Sequence, residues 1–391
     1  MSEWKDVNLQ DVTTILGDGL HGTPNYDDDG DYYFINGNNL RNGKIIVDER
    51  TRKASVEEYN KYKKDLNHRT ILVSINGTLG NIALYNNEKC FLGKSACYFN
   101  VRDDIDKLFI YYVVANRHFQ NYIDIFANGT TIKNVSLRTM REYPFKLPPH
   151  PEQRAIAGVL SSLDDKIDLL HRQNETLEAL AQTLFRQWFV EEADDDWEEK
   201  KLSFFGDIIC GKTPSKKKPE YFGGDFPFIK IPDMRGNVFI FDTADTLSES
   251  GMKSQKNKTL PAKSICVSCI ATVGLVAMNT ISSQTNQQIN SIIPKKPEHR
   301  YFLFLHMRRA TDLLKAMASG GTATLNLNTG NFSRINIDFP GENILLHFHN
   351  FIEPVFNKIF NNQSQIQTLE KLRDTLLPKL MSGEVRVRWE R

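Results

Sequence analysis

LPPHPEQRAIAGVLSSLDDKIDLLHRQNETLEALAQTLFRQWF occupies residues 147–189. Pro148, Pro149 and Pro151 stand at its start, where a proline fixes φ and gives up no helical hydrogen bond. Apolar residues then recur at Ile156, Leu160, Leu163, Ile167, Leu170, Leu177, Ala181, Leu184 and Trp188, with Asn174 the one polar break. The steps alternate four and three, which is the seam of a coiled coil. A weaker copy runs through Ile352, Val355, Ile359, Ile366, Leu369, Leu376 and Leu380, interrupted at Asn362 and Arg373. Pro354 predicts a kink or a delayed start there. Helices over 151–190 and 343–382 would each be roughly 55–60 Å long. Neither stripe can bury itself alone, so the two are expected to pack on each other.

The second run is one block of a repeat that covers the chain at an offset of about 192 residues. Trp4, Leu9, Val12 and Ile15 recur as Trp197, Leu202, Phe205 and Ile208. Thr23-Pro24 recurs as Thr213-Pro214, and Phe34-Ile35 as Phe228-Ile229. ILVSINGTLGNIA (71–83) recurs as ICVSCIATVGLVA (265–277), FIYYVVANRHFQNYI (109–123) as YFLFLHMRRATDLLK (301–315), and NGTTIKNVSL (128–137) as GGTATLNLNT (320–329). QNETLEALAQTLF (173–185) recurs as QIQTLEKLRDTLL (365–377). So long a period, with the order of blocks kept, is a domain duplication and not a solenoid.

Each half therefore holds a globular module and a long helix. The modules carry short β runs such as ILVSI and SICVSCI that end in Gly-containing turns, Asn76-Gly77 and Thr272 to Gly274. Each also carries one predicted helix, near 107–126 and 299–318, that stops before a Gly-rich loop. The expected fold class is α+β, with two similar modules separated by two long helices. The expected segments are 1–148, first module; 149–190, central helix; 191–200, acidic linker; 201–341, second module; and 342–391, C-terminal helix and tail.

Of 391 residues, 40% are hydrophobic and 25% charged, ordinary for a globular protein. No apolar run approaches a membrane span, and MSEWKDVNLQ reads as no leader, so the expected compartment is the cytoplasm. Five cysteines, an odd count without a framework, argue against a disulfide scaffold. The net charge of +1 hides an uneven distribution. Residues 201–340 carry 18 Lys/Arg against 10 Asp/Glu, and 150–200 carry 5 against 13. A basic module thus sits beside an acidic connector, EEADDDWEE (191–199), which reads as a solvated tether.

Catalytic signatures are missing. An exocyclic-amine methyltransferase needs an acidic residue or Asn before Pro-Pro-aromatic, and Leu147-Pro148-Pro149-His150 has neither end. There is no GxxxxGK[ST] phosphate loop, dinucleotide fingerprint, HExxH or paired zinc spacing. Cys266 and Cys269 form a lone CxxC whose counterparts are Leu72 and Ile75, so both read as apolar strand residues. His347 and His349 read as surface residues near a helix start. No metal site and no cofactor for this chain is expected.

What remains suits DNA, which is held by cations on phosphates and read by amides and Arg at base edges. The first module offers Arg41, Lys44, Asn76, Thr78, Lys94, Thr130, Thr131 and Lys133. The second offers Lys212, Thr213, Lys216, Lys217, Lys218, Lys230, Arg235, Thr272, Asn286, Gln287, Thr322 and Asn326. Further cations, among them Arg50, Arg52 and Arg69, flank the first set. The loops recur at matching positions while the residues around them differ, as one scaffold presenting two reading surfaces would require.

This architecture, and residues 147–189 above all, resembles the specificity subunits of type I restriction-modification systems. NQSQIQTLEKLRDTLLPKLMSGEVRV (362–387) resembles the C-terminal counterpart of their central conserved region, although ENILLHFHNFIEPVF (342–356) lacks the PEQ-R start found at Pro151 to Arg154. The resemblance implies an antiparallel coiled coil acting as a ruler, and recognition domains that each read half of a bipartite target in double-stranded DNA. It also implies two docked methyltransferase subunits and ATP-dependent restriction subunits, with S-adenosylmethionine and ATP bound by those partners. The competing reading is a nucleic-acid adaptor outside restriction, its coiled coil an oligomerisation spacer.

Overall fold

The computed structural model describes residues 4–129, 132–319 and 325–387. The chain divides into two compact units, Met1–Ile167 with Leu369–Arg391, and Asp168–Thr368. Each unit holds one module and one part of each long helix, His150–Arg186 and Glu342–Ser382.

In unit 1 a four-stranded antiparallel sheet runs in the order Thr13–Asp18, Ala96–Val101, Thr70–Ser74, Ile82–Leu84. Thr70–Ser74 is buried at every position. Its apolar run is continuous because both faces are covered. On one face Ile71, Val73 and Phe99 pack with Phe109, Val113, Phe119 and Ile123 from two helices. On the other, Leu72, Ala83 and Tyr98 pack with Ile35 and Leu92 of a small mixed sheet, Lys53–Ala54, Tyr32–Ile35, Cys90–Leu92. Lys5–Asn8 pairs with Pro144–Leu147, bringing the module's ends together.

Unit 2 repeats this plan. Gly206–Cys210, Ile289–Pro294, Ile265–Ser268 and Val276–Asn279 form the equivalent sheet, with Phe239–Ile240 added in parallel at its edge. Phe222–Ile229 pairs with Thr246–Leu247 and Gln284–Thr285. Glu198–Lys201 pairs with Asn336–Phe339, so the acidic stretch ends in a strand where a linker was expected. Backbone pairing leaves the Glu198 and Glu199 carboxylates in water, so the charge run does not oppose it.

Three further differences from expectation have local causes. Each single predicted helix is a pair: Lys107–Ala115 with Arg117–Phe126, and His299–Arg309 with Thr311–Ala318. Asn116 breaks the first pair in an extended conformation (φ −65, ψ 142), and its side chain accepts from the His118 N–H as the cap of the next helix. The second long helix runs unbroken through Pro354. Pro354 and Asn350 are both exposed, so the carbonyl that loses its helical donor meets water. His349 is buried, not a surface residue, and stacks on Tyr301 with ring centroids 5.3 Å apart. It joins the stripe of Leu345, Phe348, Ile352 and Phe356 that faces the module core.

The long helices pack antiparallel within each unit. In unit 1, Ile156, Ala157 and Leu160 share a core with Leu376, Leu377 and Leu380, and Asp164 accepts from Arg373 at 2.9 Å. In unit 2, Ala181, Phe185 and Phe189 share a core with Phe348, Ile352 and Ile359, and Asn362 donates to Asn174 at 2.9 Å. Ile167, Leu170 and Ile366 are buried, whereas Leu163, Leu177, Leu184, Val355, Leu369 and Leu376 are half-buried.

The turns after the central strands repeat closely. The Gly80 N–H donates to the Ser74 carbonyl at 2.9 Å and the Gly274 N–H to that of Ser268 at 3.0 Å. Gly274 has φ +95, and a Cβ there would lie 2.6 Å from Thr311 Cγ2. Both the left-handed backbone and the clash oppose any other residue. Gly274→Ala is expected to cost about 2 kcal/mol, lowering the melting temperature by roughly 4–8 °C. Adding Thr311→Ser, which deletes Cγ2, should recover part of the loss; equal melting temperatures for Gly274→Ala and the unaltered chain would refute the strain.

Candidate nucleic-acid interface

Folding brings together loops that lie far apart in sequence. In unit 1 the turn after Thr70–Ser74 lies beside Lys133, Asn134 and Val135. Asn76 Nδ2 donates to Asn134 Oδ1 at 3.1 Å, the Gly77 N–H to the Lys133 carbonyl at 3.0 Å, and the Val135 N–H to the Ile75 carbonyl at 2.8 Å. Asn76 and Asn134 join Asp18, His21, Lys94 and Ser136 in lining one cleft. Thr78 and Lys94 are exposed, while Lys133 is also engaged by Asp124. Thr130 and Thr131 lie outside the described residues.

Arg41 and Lys44 flank a hairpin whose tip, Asn42-Gly43, has φ +50 and +75, as a tight two-residue turn needs. Arg41 shares a second cleft with Asn38, Arg50 and Arg52. The Arg50 guanidinium, 2.8 Å from Asp48, holds that carboxyl below its usual range. Arg69 is not a surface cation. It donates to the carbonyls of Val101 at 3.1 Å and Ile105 at 2.5 Å, stapling backbone.

In unit 2 the loop GKTPS (211–215) lies against SSQTNQQIN (282–290). The Gly211 N–H donates to the Ile289 carbonyl at 3.0 Å and the Lys212 N–H to that of Thr285 at 2.9 Å. Thr213 Oγ1 donates to Gln287 Oε1 at 2.8 Å. A Cβ on Gly211 would come within 2.2 Å of the Asn286 carbonyl oxygen, so only glycine permits this approach. Buried Gln255 fixes the loop from below, donating to the Lys212 carbonyl at 2.6 Å and to Gln284 Oε1 at 2.8 Å. Lys212, Lys216, Lys217, Gln287 and Arg235 are exposed. Lys218 donates to the Tyr221 hydroxyl at 3.2 Å, which raises its ammonium pKa.

Two candidates of unit 2 are committed elsewhere. Lys230 pairs with Asp245, and the buried Asn286 amide exchanges hydrogen bonds with Gln288. Thr272 is half-exposed, and Asn326 lies beside Ile270 as Asn134 lies beside Asn76. Thr322 lies outside the described residues. Gln255 escaped sequence reasoning because it sits in no repeated loop, and His21 because its counterpart beside the repeated Thr-Pro is Gly211; Asn134 and Gln284 lie in amide-rich loops, where nothing distinguished them from turn formers.

The profile of the type I restriction modification DNA specificity domain matches residues 1–179 and again 194–371. The chain belongs to the DNA-specificity subunits of type I restriction-modification systems. It is 32% identical to the specificity subunit of the HindI type I restriction enzyme of Haemophilus influenzae, over 98% of this chain and 100% of that one. It is 27% identical to the MjaIX specificity subunit of Methanocaldococcus jannaschii, over 98% and 94%. A crystal structure of a type I system S subunit from M. genitalium shares the fold, with a TM-score of 0.63 at 20% identity over 97% and 96% of the two chains.

In this specificity subunit the cysteines belong to the cores. Cys90, Cys97, Cys266 and Cys269 are buried and Cys210 is half-buried. Burial pushes the Cys266 and Cys90 thiols up to about 12 and Cys269 to about 11, the opposite of what a redox or metal-binding thiolate needs. Among the described residues no cluster of three or more His, Cys, Asp or Glu is set to hold a metal ion, and no helix is long and apolar enough to cross a membrane. A chromogenic disulfide reagent at pH 8 should therefore titrate Cys210 in the native subunit and the other four only after unfolding. Rapid reaction of Cys266 or Cys269 in the native chain would contradict this placement.

Proposed function

We propose that each unit of this subunit reads one part of a split, asymmetric target in double-stranded DNA. Its long helices set the spacer and dock two methyltransferase subunits, which ATP-dependent restriction subunits join. The chain itself catalyses nothing. S-adenosylmethionine and ATP bind the partners, and the work is done in the cytoplasm, where the DNA is.

One observation carries this reading. Two copies of a scaffold hold loops on equivalent strands, yet the loops differ in chemistry. Unit 1 offers Asn76, Lys94 and Asn134 around one cleft, exposed Thr78 on the same turn as Asn76, and Arg41 at another cleft. Unit 2 offers Lys212, Thr213, Gln287 and the exposed lysines from Lys216. Side-chain amides match adenine edges and Arg or Lys matches guanine, whereas any of these cations placed on a phosphate holds DNA without regard to sequence. Unlike loops on like scaffolds should read unlike sequences.

Methylome sequencing of a host carrying this chain with its modification subunit is the test. Adenine methylation in a two-part, non-palindromic motif with a fixed spacer is expected; a continuous or palindromic motif would refute the reading. Replacing Lys216, Lys217 and Lys218 by Ala should weaken binding alike on all sequences and reduce the salt slope by about one per lysine lost. A change confined to one base position would show instead that these lysines read sequence.

A further inference from the structure

Among the described residues, polar contacts tie the second long helix and its tail to the first within both units. In unit 1, Glu152 has no exposed surface and accepts from Arg386 Nη2 at 2.8 Å and from Trp4 Nε1 at 3.1 Å. Also in unit 1, Asp164 accepts from Arg373 Nη1 at 2.9 Å and from the Tyr112 hydroxyl at 2.7 Å. In unit 2, Asn362 Nδ2 donates to Asn174 Oδ1 at 2.9 Å and to Gln173 Oε1 at 3.3 Å, and both asparagines are buried.

The duplication copies none of these contacts. Gln173-Asn174 aligns with Gln365-Ile366, and at that offset Glu152 corresponds to Ile344, Asp164 to Phe356 and Asn362 to Leu170. Arg373 corresponds to Ala181 and Arg386 to Asp194. A duplicated chain has an alternative open to it: each long helix could pair with its like in a second copy, in the equivalent register. Asn174 would then face the Leu170 position and Asn362 the Ile366 position. Arg373 would face Phe356, and Glu152 would meet Asp194. Each group would lose its partner on the other helix, Glu152 keeping only Trp4 and meeting like charge, Asp164 keeping Tyr112 and Arg373 keeping Asp374. An unpaired buried amide or charge is penalised far more than a paired one is rewarded, and a single Asn in a seam is enough to choose register and partner.

We propose that these contacts form a pairing code that makes the first long helix accept the second and refuse its own copy. The apolar stripe supplies adhesion that would serve either pairing, and the polar contacts supply the choice. This goes beyond DNA reading and does not depend on it.

Position 171 reports the choice. It flanks the seam, whereas a residue two positions from Leu170 and Asn174 points away from the partner helix. Where residue 170 faces 174 of a second copy, the two copies of residue 171 lie on one flank of the pair, about 3 Å apart along its axis; in the observed pairing residue 171 lies opposite 365. His171 is exposed. The full chain bearing His171→Cys is unfolded in urea, refolded and treated with a short bismaleimide, beside the chain without that change as the control for Cys210. With the natural seam no chain-to-chain link through position 171 is expected. With Asn174→Leu and Asn362→Leu added, the linked fraction should rise at least fivefold. Abundant linkage with the natural seam, or none with the apolar one, would overturn the code. A second measurement needs no refolding. Asn174→Leu alone, which leaves the buried Asn362 amide only its longer bond to Gln173, should melt below the natively purified double variant, and equal melting temperatures would overturn it as well.

Discussion

Two apolar stripes that cannot be buried alone govern this molecule. Each long helix carries a seam too narrow to fold into a core by itself and too hydrophobic to leave in water. Within unit 1 the seam closes through Ile156, Leu160 and Leu380, and within unit 2 through Phe185, Phe348, Ile352 and Ile359. In both units these residues are continuous with the core beneath the central sheet. The helices are therefore part of each module's hydrophobic interior and no appended stalk, and a change in the seam is felt by the module that rests on it.

That continuity explains how the candidate surfaces are held. The central strands Thr70–Ser74 and Ile265–Ser268 are pinned on both faces, so the turns that leave them have fixed origins. Short backbone hydrogen bonds then dock a second loop against each turn, Lys133 to Val135 in one unit and Leu325 to Leu327 in the other. The scaffold consumes glycines, backbone groups and buried amides such as Gln255, and leaves free side chains at the loop surfaces. Duplication of the scaffold with divergence of those side chains is the physical form that two different specificities in one chain would take.

The helices, the duplication and the family were legible from residues because each rests on a long pattern. A four-three spacing over many turns and matched blocks in one order are signals that no single substitution erases. Local features were less legible. Pro354 looks like a helix boundary unless Asn350 is known to face water, and Asn116 looks like a helix interior until its side chain is seen capping the next turn. His349 reads as polar surface until the buried stripe is seen to run back from Ile352 through Phe348 to Leu345. Of the cations chosen for DNA, Lys230 proves tied to Asp245, and Arg69, drawn from the flanking set, proves tied to backbone carbonyls. A sequence gives the charge of a side chain but not its partner.

The central claim is that the two modules are independent readers on one scaffold. Its most direct measurement is methylome sequencing of a host in which the second module of this chain, residues 201–341, is replaced by a second copy of the first, residues 1–148, with both long helices kept. The account predicts a target whose two parts have become the same sequence, with the spacer unchanged. A target whose two parts still differ, or whose retained part also changes, would contradict it.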